Sequence, residues 1–227
     1  MPLPQGRKVH ASAARPLETG RQLDPAIPRA GRIFKRALDL VGSILLLVLC
    51  APLLVALAVL IKCQDGGPVF FRRRVVGPRG AFDAFKLRSM RVDADEVLRR
   101  NPTLRQEFEV NFKLKNDPRV TAVGAILRKA SLDELPQLWN VLKGEMSLVG
   151  PRMITPAELT KYGEAEWIFR CVKPGLTGYW QVQGRQEVSY DRRIEMDLFY
   201  LQHWSFLLDL KILVKTPLRV FRGVGAY

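Results

Sequence analysis

Cysteine and histidine are scarce in this chain, and neither is spaced for chemistry. The three cysteines, Cys50, Cys63 and Cys171, are odd in number and far apart among 227 residues, which argues against a disulfide framework and fits a reducing compartment. The two histidines, His10 and His203, sit in a proline-dotted tail and beside Trp204, so neither joins a metal-ligand cluster. Acidic residues are also few: 22 Asp and Glu against 36 Lys and Arg leave a formal charge of +14. That surplus calls for an anionic partner, whether nucleic acid, anionic lipid or a phosphorylated substrate. No nucleic-acid partner is expected, because the chain has no recognition-helix pattern, zinc-finger spacing or aromatic RNA-binding signature. Internal repeats are absent. A secretory signal peptide does not fit an apolar run that begins near residue 40 with no small-residue cleavage site behind it.

What is present is a long run without charge, Leu40 to Ile61, broken at its centre by Pro52. Its 22 residues would make about 33 Å of straight helix, enough to cross a bilayer core of about 30 Å. Basic residues flank it on both sides: Arg29, Arg32, Lys35 and Arg36 before, Lys62, Arg72, Arg73 and Arg74 after. Positive flanks mark the cytoplasmic side, and here both ends carry the mark. Proline removes a backbone donor and clashes with the preceding turn. A helix that enters, bends at Pro52 and returns to the same face satisfies both observations. A kinked full span satisfies only the length, and a buried soluble helix would seldom go six turns without a charge.

Residues 1–31 read as a disordered basic tail, 32–62 as the re-entrant membrane helix, and 63–227 as a cytoplasmic domain. In that domain Val69–Val76 and Phe82–Met90 are β-prone on either side of a turn at Gly77–Gly80. A helical stretch from Ala94 restarts near Pro102, with Asn101 placed to cap the second part. Ser131–Val141 reads as a helix ending near Gly144, and Thr155-Pro156 opens another running to Cys171. Pro174–Gly178 reads as a turn before Tyr179–Val182. Tyr190–His203 and Phe206–Arg222 are amphipathic helices, the latter suited equally to a membrane interface or to a soluble core.

The strongest chemical candidate is Ser131-Leu132-Asp133-Glu134, just after Arg128 and Lys129. One reading is purely structural: Ser131 and Glu134 have capping-box spacing. The other is chemical. A helix start would keep Asp133 ionised, Arg128 could hold a phosphate beside it, and an ionised aspartate next to a diphosphate can attack phosphorus to give an acyl phosphate. Repulsion between carboxylate and diphosphate must then be neutralised. Mg²⁺ is the natural solution, with Glu134 as a ligand and substrate oxygens completing the shell.

These residues belong to a longer pattern. Arg128, Ser131-Leu132-Asp133-Glu134-Leu135-Pro136-Gln137-Leu138-Trp139-Asn140-Val141 and Gly144-Glu145-Met146-Ser147-Leu148-Val149-Gly150-Pro151-Arg152 resemble the bacterial sugar transferases, which are monotopic phosphoglycosyl transferases. Phe85-Lys86-Leu87-Arg88-Ser89-Met90, Lys173-Pro174-Gly175-Leu176-Thr177-Gly178-Tyr179-Trp180-Gln181-Val182, Trp204-Ser205 and Asp209-Leu210-Lys211-Ile212-Leu213 extend the likeness over residues 32–227. The resemblance implies a membrane-associated α+β enzyme at the cytoplasmic face of a bacterial inner membrane. It would move a sugar-1-phosphate from a UDP-sugar to undecaprenyl phosphate, releasing UMP, as the first membrane step of exopolysaccharide synthesis.

By the same resemblance Asp133 is the nucleophile, Glu134 binds Mg²⁺ and Arg128 supports the pair. Pro151 and Arg152 meet substrate phosphate; Lys86, Arg88, Gln181, Arg185 and Asp197 are further substrate-side candidates. Pro52 is the membrane bend, membrane lipid is a partner, and a homodimer rests on family analogy alone. Likeness to the short exopolysaccharide-initiating members suggests galactose or glucose. Two departures stand out: Ala51 precedes Pro52 where the family often has serine, and Met153 follows Pro-Arg where a second proline is common. Two rival readings remain, a non-catalytic tether for a polysaccharide assembly complex and a hydrolase that needs no lipid acceptor.

Overall fold

The computed structural model describes residues 28–111, 114, 116–183 and 189–221. Most of the expected tail, and Arg185, lie outside them. The described chain mixes helices with two small sheets. Helix α1 runs Arg29–Asp65 and continues through Pro52, whose missing N–H costs one rung but does not end the helix. It stops at Gly66, which takes the left-handed conformation with φ 70° and donates its N–H back to Lys62 O.

Strands β1 (Phe70–Gly77) and β2 (Gly80–Leu87) form the expected antiparallel hairpin, closed by Pro78-Arg79. Helices α2 (Ala94–Arg100) and α3 (Pro102–Asn111) follow. Asn101 Oδ1 accepts from Leu104 N at 3.2 Å, as the capping pattern predicts. Helix α4 (Ala122–Lys129) is capped by Thr121, and it packs so tightly that a Cβ on Gly124 would lie 1.9 Å from Ser89 O. Next come a 3₁₀ turn (Leu132–Glu134), α5 (Gln137–Lys143) and β3 (Ser147–Val149). Then follow α6 (Pro156–Leu159), a 3₁₀ stretch (Thr160–Trp167), α7 (Ile168–Cys171), β4 (Gly175–Thr177), α8 (Tyr179–Gln183), α9 (Tyr190–Gln202) and α10 (Phe206–Phe221).

Three expectations need correction. Ser131–Val141 is not one helix: Pro136 separates the 3₁₀ turn from α5. The helix from Thr155 to Cys171 is broken at Gly163, whose φ of 48° and ψ of −126° no helix accommodates. The turn at Pro174–Gly178 is a strand, because residues 175–177 pair in parallel with β3.

The main core gathers Leu138, Val141, Met146, Leu148, Ile168, Phe169 and Tyr200, and a second cluster joins Leu57 and Ile61 of α1 to Leu87 and Leu127. Helix α1 is thus docked near both ends. At its start Lys35 Nζ donates to Val149 O (2.8 Å) and pairs with Asp209 (2.6 Å). Arg36 donates to the carbonyls of Val141 and Leu142, and Asp39 accepts from Ser147 Oγ and Leu148 N. At its end Arg88 pairs with Asp65. Between these anchors Ile44, Leu45, Val48, Leu49 and Val55 are exposed, with Leu49 at 75%. Leu207, Val214 and Leu218 of α10 are exposed too.

Candidate active site

The Asp133–Glu134 turn is fixed from both sides. Before it, Ser131 sits in the left-handed region at φ 54° and makes no side-chain cap bond, so the capping box that the spacing permits does not form. Glu134 points its carboxylate elsewhere. Its Oε1 meets Lys86 Nζ at 2.8 Å and Arg152 Nη2 at 2.6 Å, while Oε2 lies 3.3 Å from Arg152 Nη1. Burial alone would raise its pKa, but Arg152 and Lys86 together hold Glu134 well below the usual carboxylate range.

Asp133 differs from its neighbour. It is 7% exposed and lies 3.7 Å from Lys86 Nζ, yet its carboxylate accepts no hydrogen bond from a described residue. Burial pushes its pKa up, Lys86 opposes this, and the adjacent charge on Glu134 adds to the rise. Arg128, whose Nε donates to Ser89 Oγ at 2.9 Å, adds a positive field on Asp133. The pair therefore divides its roles. One carboxylate is committed to two cations, and the other, in a longer ion pair with Lys86, accepts no hydrogen bond from a described residue and is chemically able to attack phosphorus when ionised.

The scaffold behind the pair explains why the flanking motifs carry their residues. Asn140 in α5 accepts from Phe85 N at 3.0 Å and donates to Asp83 O at 2.8 Å, which pins the strand beside Lys86. The Gly150-Pro151-Arg152 loop lies directly on β4: Gly150 N donates to Thr177 O and Gly175 N to Pro151 O. A Cβ on Gly175 would fall 2.1 Å from Gly150 N, so only glycine fits there. Met153, the departure after Pro-Arg, is buried in the main core and anchors the loop by packing.

Lys86, Arg128, Pro151 and Arg152 are thus placed with Asp133 and Glu134. Arg88 is not: its guanidinium is bound to Asp65 and to the carbonyls of Pro68 and Met90, stapling α1 to the hairpin. Gln181 Nε2 donates to Leu176 O, so its amide supports β4. Asp197 is buried behind the site, takes the Tyr162 hydroxyl at 3.3 Å, and has its pKa pushed up by burial to about 7 against the opposing Arg193. Two residues that sequence reasoning passed over join the constellation. Arg73 pairs with Glu158 at 3.2 Å, and Glu158 adds a negative field on Arg152. Glu158 had a visible signal, its capping-box spacing to Thr155, and that box does form.

Among the described residues no three His, Cys, Asp or Glu side chains gather as a metal cage. Both oxygens of Glu134 are occupied by Lys86 and Arg152, so of the adjacent carboxylates Asp133 is the one whose oxygens are open to Mg²⁺, an ion that takes one or two protein oxygens and fills its shell with phosphates and water.

The bacterial sugar transferase family matches residues 30–223. The chain is 47% identical over 204 residues to undecaprenyl-phosphate galactose phosphotransferase of Salmonella typhimurium, covering 88% of this chain and 43% of that protein. It is 44% identical over 217 residues to the exopolysaccharide production protein ExoY of Rhizobium meliloti, covering 93% and 94% respectively. It is 38% identical over 213 residues to the UDP-glucose:undecaprenyl-phosphate glucose-1-phosphate transferase of Escherichia coli, covering 90% and 44%. The chain therefore spans less than half of the Salmonella and Escherichia relatives and nearly all of ExoY. With the family match running over almost every described element, the chain belongs to the bacterial sugar transferase family.

Proposed function

We propose that this chain transfers a hexose-1-phosphate from a UDP-sugar to undecaprenyl phosphate at the cytoplasmic face of a bacterial inner membrane, initiating exopolysaccharide synthesis. The observation that carries the reading is the unequal pair: Glu134 clamped by Lys86 and Arg152, with Asp133 beside it accepting no hydrogen bond from a described residue. In the first step an Asp133 oxygen attacks the β-phosphorus of the UDP-sugar. The bond from that phosphorus to the bridging oxygen breaks, and UMP leaves with the electron pair. In the second step a phosphate oxygen of undecaprenyl phosphate attacks the same phosphorus, releasing Asp133 and giving undecaprenyl diphosphate sugar. Arg152 and Lys86 supply fixed positive charge where negative charge collects, and Arg128 favours the ionised form of Asp133. Mg²⁺ bound at this pair, by Glu134 only once Lys86 or Arg152 releases an oxygen, would with substrate oxygens neutralise the diphosphate so that a carboxylate can approach. Galactose and glucose are the sugars that the relatives' names favour.

The re-entrant path of α1 belongs to this reading. Its support is that Lys35, Arg36 and Asp39 at one end and Ile61 and Asp65 at the other all bind the same domain, while Ile44, Leu45, Val48, Leu49 and Val55 between them are exposed. A helix whose two ends return to one cytoplasmic domain enters and leaves by the same leaflet. The test is purified protein with Mg²⁺, undecaprenyl phosphate and a UDP-sugar panel, reading both UMP and lipid-linked sugar. Acceptor-dependent release with one sugar, lost in Asp133→Asn, supports transfer. UMP without lipid product indicates hydrolysis, and activity retained in Asp133→Asn refutes the assigned nucleophile.

A further inference from the structure

At the turn end of the β1–β2 hairpin a cavity of about 460 Å³ lies where α1 leaves the domain. It is separate from the carboxylate pair. Phe82 lines it, whereas Lys86, four residues along β2 and about 13 Å away at ~3.3 Å per residue, is the one that reaches Glu134.

The lining carries six basic side chains against two acidic ones. Some of that charge is already answered. Lys35 pairs with Asp209 and Lys143 with Glu145, each at 2.6 Å, and Asp39, which accepts from the neutral donors Ser147 and Leu148, keeps its charge toward Lys35 and Lys173. Arg36 spends its donors on two neutral carbonyls, which leave its charge uncompensated. The side chains of Arg32, Arg79 and Lys173 donate no hydrogen bond to a described residue. Arg36 Nη2 and Lys173 Nζ lie 3.5 and 3.6 Å from the point where a Gly144 side chain would start, so the two cations are at most about 7 Å apart, close enough to repel in a half-enclosed site. Burial and then Arg36 hold Lys173 below the usual amine value, against the opposing charge of Asp39. With Glu145 paired to Lys143, the four cations Arg32, Arg36, Arg79 and Lys173 face the carboxylate of Asp39 alone among the lining residues, and a cavity with that excess of positive charge is built for an oxyanion.

Its position says where the anion comes from. Ile33 and Phe34, beside the lining residues Arg32, Lys35 and Arg36, are exposed at 70% and 63%, and Phe34 packs on Phe206 at the start of α10. The cavity therefore sits level with the first exposed apolar residues of α1. On the reading above, that is the headgroup layer.

We infer that this cavity binds the phosphate of an anionic lipid headgroup, through Arg79 and Lys173 with Arg32 and Arg36, independently of the catalytic carboxylates. Free phosphate is the other source of the same chemistry. The test is native mass spectrometry of the full chain in neutral detergent with phosphatidylglycerol, phosphatidylcholine or inorganic phosphate, comparing wild type with Arg79→Gln/Lys173→Gln. Phosphatidylglycerol should be retained over phosphatidylcholine, and the double variant should weaken it at least about tenfold, the worth of one charge-assisted contact. Arg79→Lys/Lys173→Arg should restore retention, which separates charge from folding. Equal retention by wild type and the glutamine variant would overturn the site. Inorganic phosphate bound with no lipid preference would overturn the lipid source. UMP release in the same samples keeps this proposal distinct from the transferase reading: the double variant should turn over normally in detergent, whereas an inactive wild type that retains phosphatidylglycerol defeats only the transferase reading.

Discussion

Replacing Asn140 by alanine tests how the fold positions the chemistry. Asn140 is fully buried and makes three side-chain hydrogen bonds, to Phe85 N (3.0 Å), Asp83 O (2.8 Å) and Glu145 Oε2 (2.7 Å). Alanine leaves two backbone groups and one carboxylate without their partner. At about 1 kcal/mol for each lost bond, the cost is on the order of 3 kcal/mol. With a urea slope of about 2 kcal/mol per molar, the unfolding midpoint falls by roughly 1.5 M. Because Phe85 adjoins Lys86, the variant should also lose activity under conditions where it remains folded. Asn140→Asp sharpens the test. It keeps the volume and the acceptor for Phe85 N but turns an oxygen toward Asp83 O and the Glu145 carboxylate, so it should destabilise at least as much as alanine. Urea unfolding in detergent, followed by tryptophan fluorescence, measures both variants. An aspartate variant as stable as wild type would refute the hydrogen-bond account, since only volume would then matter.

Gly175→Ala drives a methyl group into Gly150 N at 2.1 Å and Thr177 O at 2.4 Å, so it should cost about 2 kcal/mol or more in thermal unfolding and displace Arg152 enough to lower kcat. Arg88→Met removes the staple to Asp65. Limited proteolysis between α1 and β1 should accelerate while KM for the nucleotide sugar stays within about twofold, because Arg88 does not reach the carboxylate pair. Asp197 gives a pH signature. Its carboxyl titrates near 7 when folded against an ordinary 3.8, so the stability it contributes is complete below about pH 4 and is lost as pH rises through about 7, at roughly 1.4 kcal/mol per pH unit between them. Unfolding free energies at pH 5 and pH 7 should show that slope in wild type and not in Asp197→Asn.

The hairpin was legible because Gly77 and Gly80 bracket a two-residue turn between β-prone runs, a local signal that nothing distant opposes. Helices α9 and α10 were legible from apolar periodicity for the same reason. The turn at Asp133 was not, since Ser131 and Glu134 have the letters of a capping box and only Lys86 and Arg152, 48 and 18 residues from Glu134, draw that carboxylate away. β4 looked like a turn because its Pro and Gly residues are turn formers. Its strand character comes from pairing with Ser147–Val149, which no local window contains. Lys35 and Arg36 read as membrane flanks, whereas Lys35 is in fact a buried partner of Asp209, 174 residues away. In the site, the family motifs pointed to Asp133, Glu134 and Arg88 alike, but the different environments of Asp133 and Glu134 and the diversion of Arg88 to Asp65 are tertiary facts.

The central claim is a covalent step on Asp133, and the most direct measurement is intact mass spectrometry of the protein mixed with its UDP-sugar and Mg²⁺ in the absence of undecaprenyl phosphate. The account predicts an added hexose phosphate that maps to Asp133, appears with one equivalent of UMP, disappears on addition of the lipid acceptor and is absent from Asp133→Asn. Full turnover with no such adduct on any timescale, or an adduct that survives in Asp133→Asn, would contradict it.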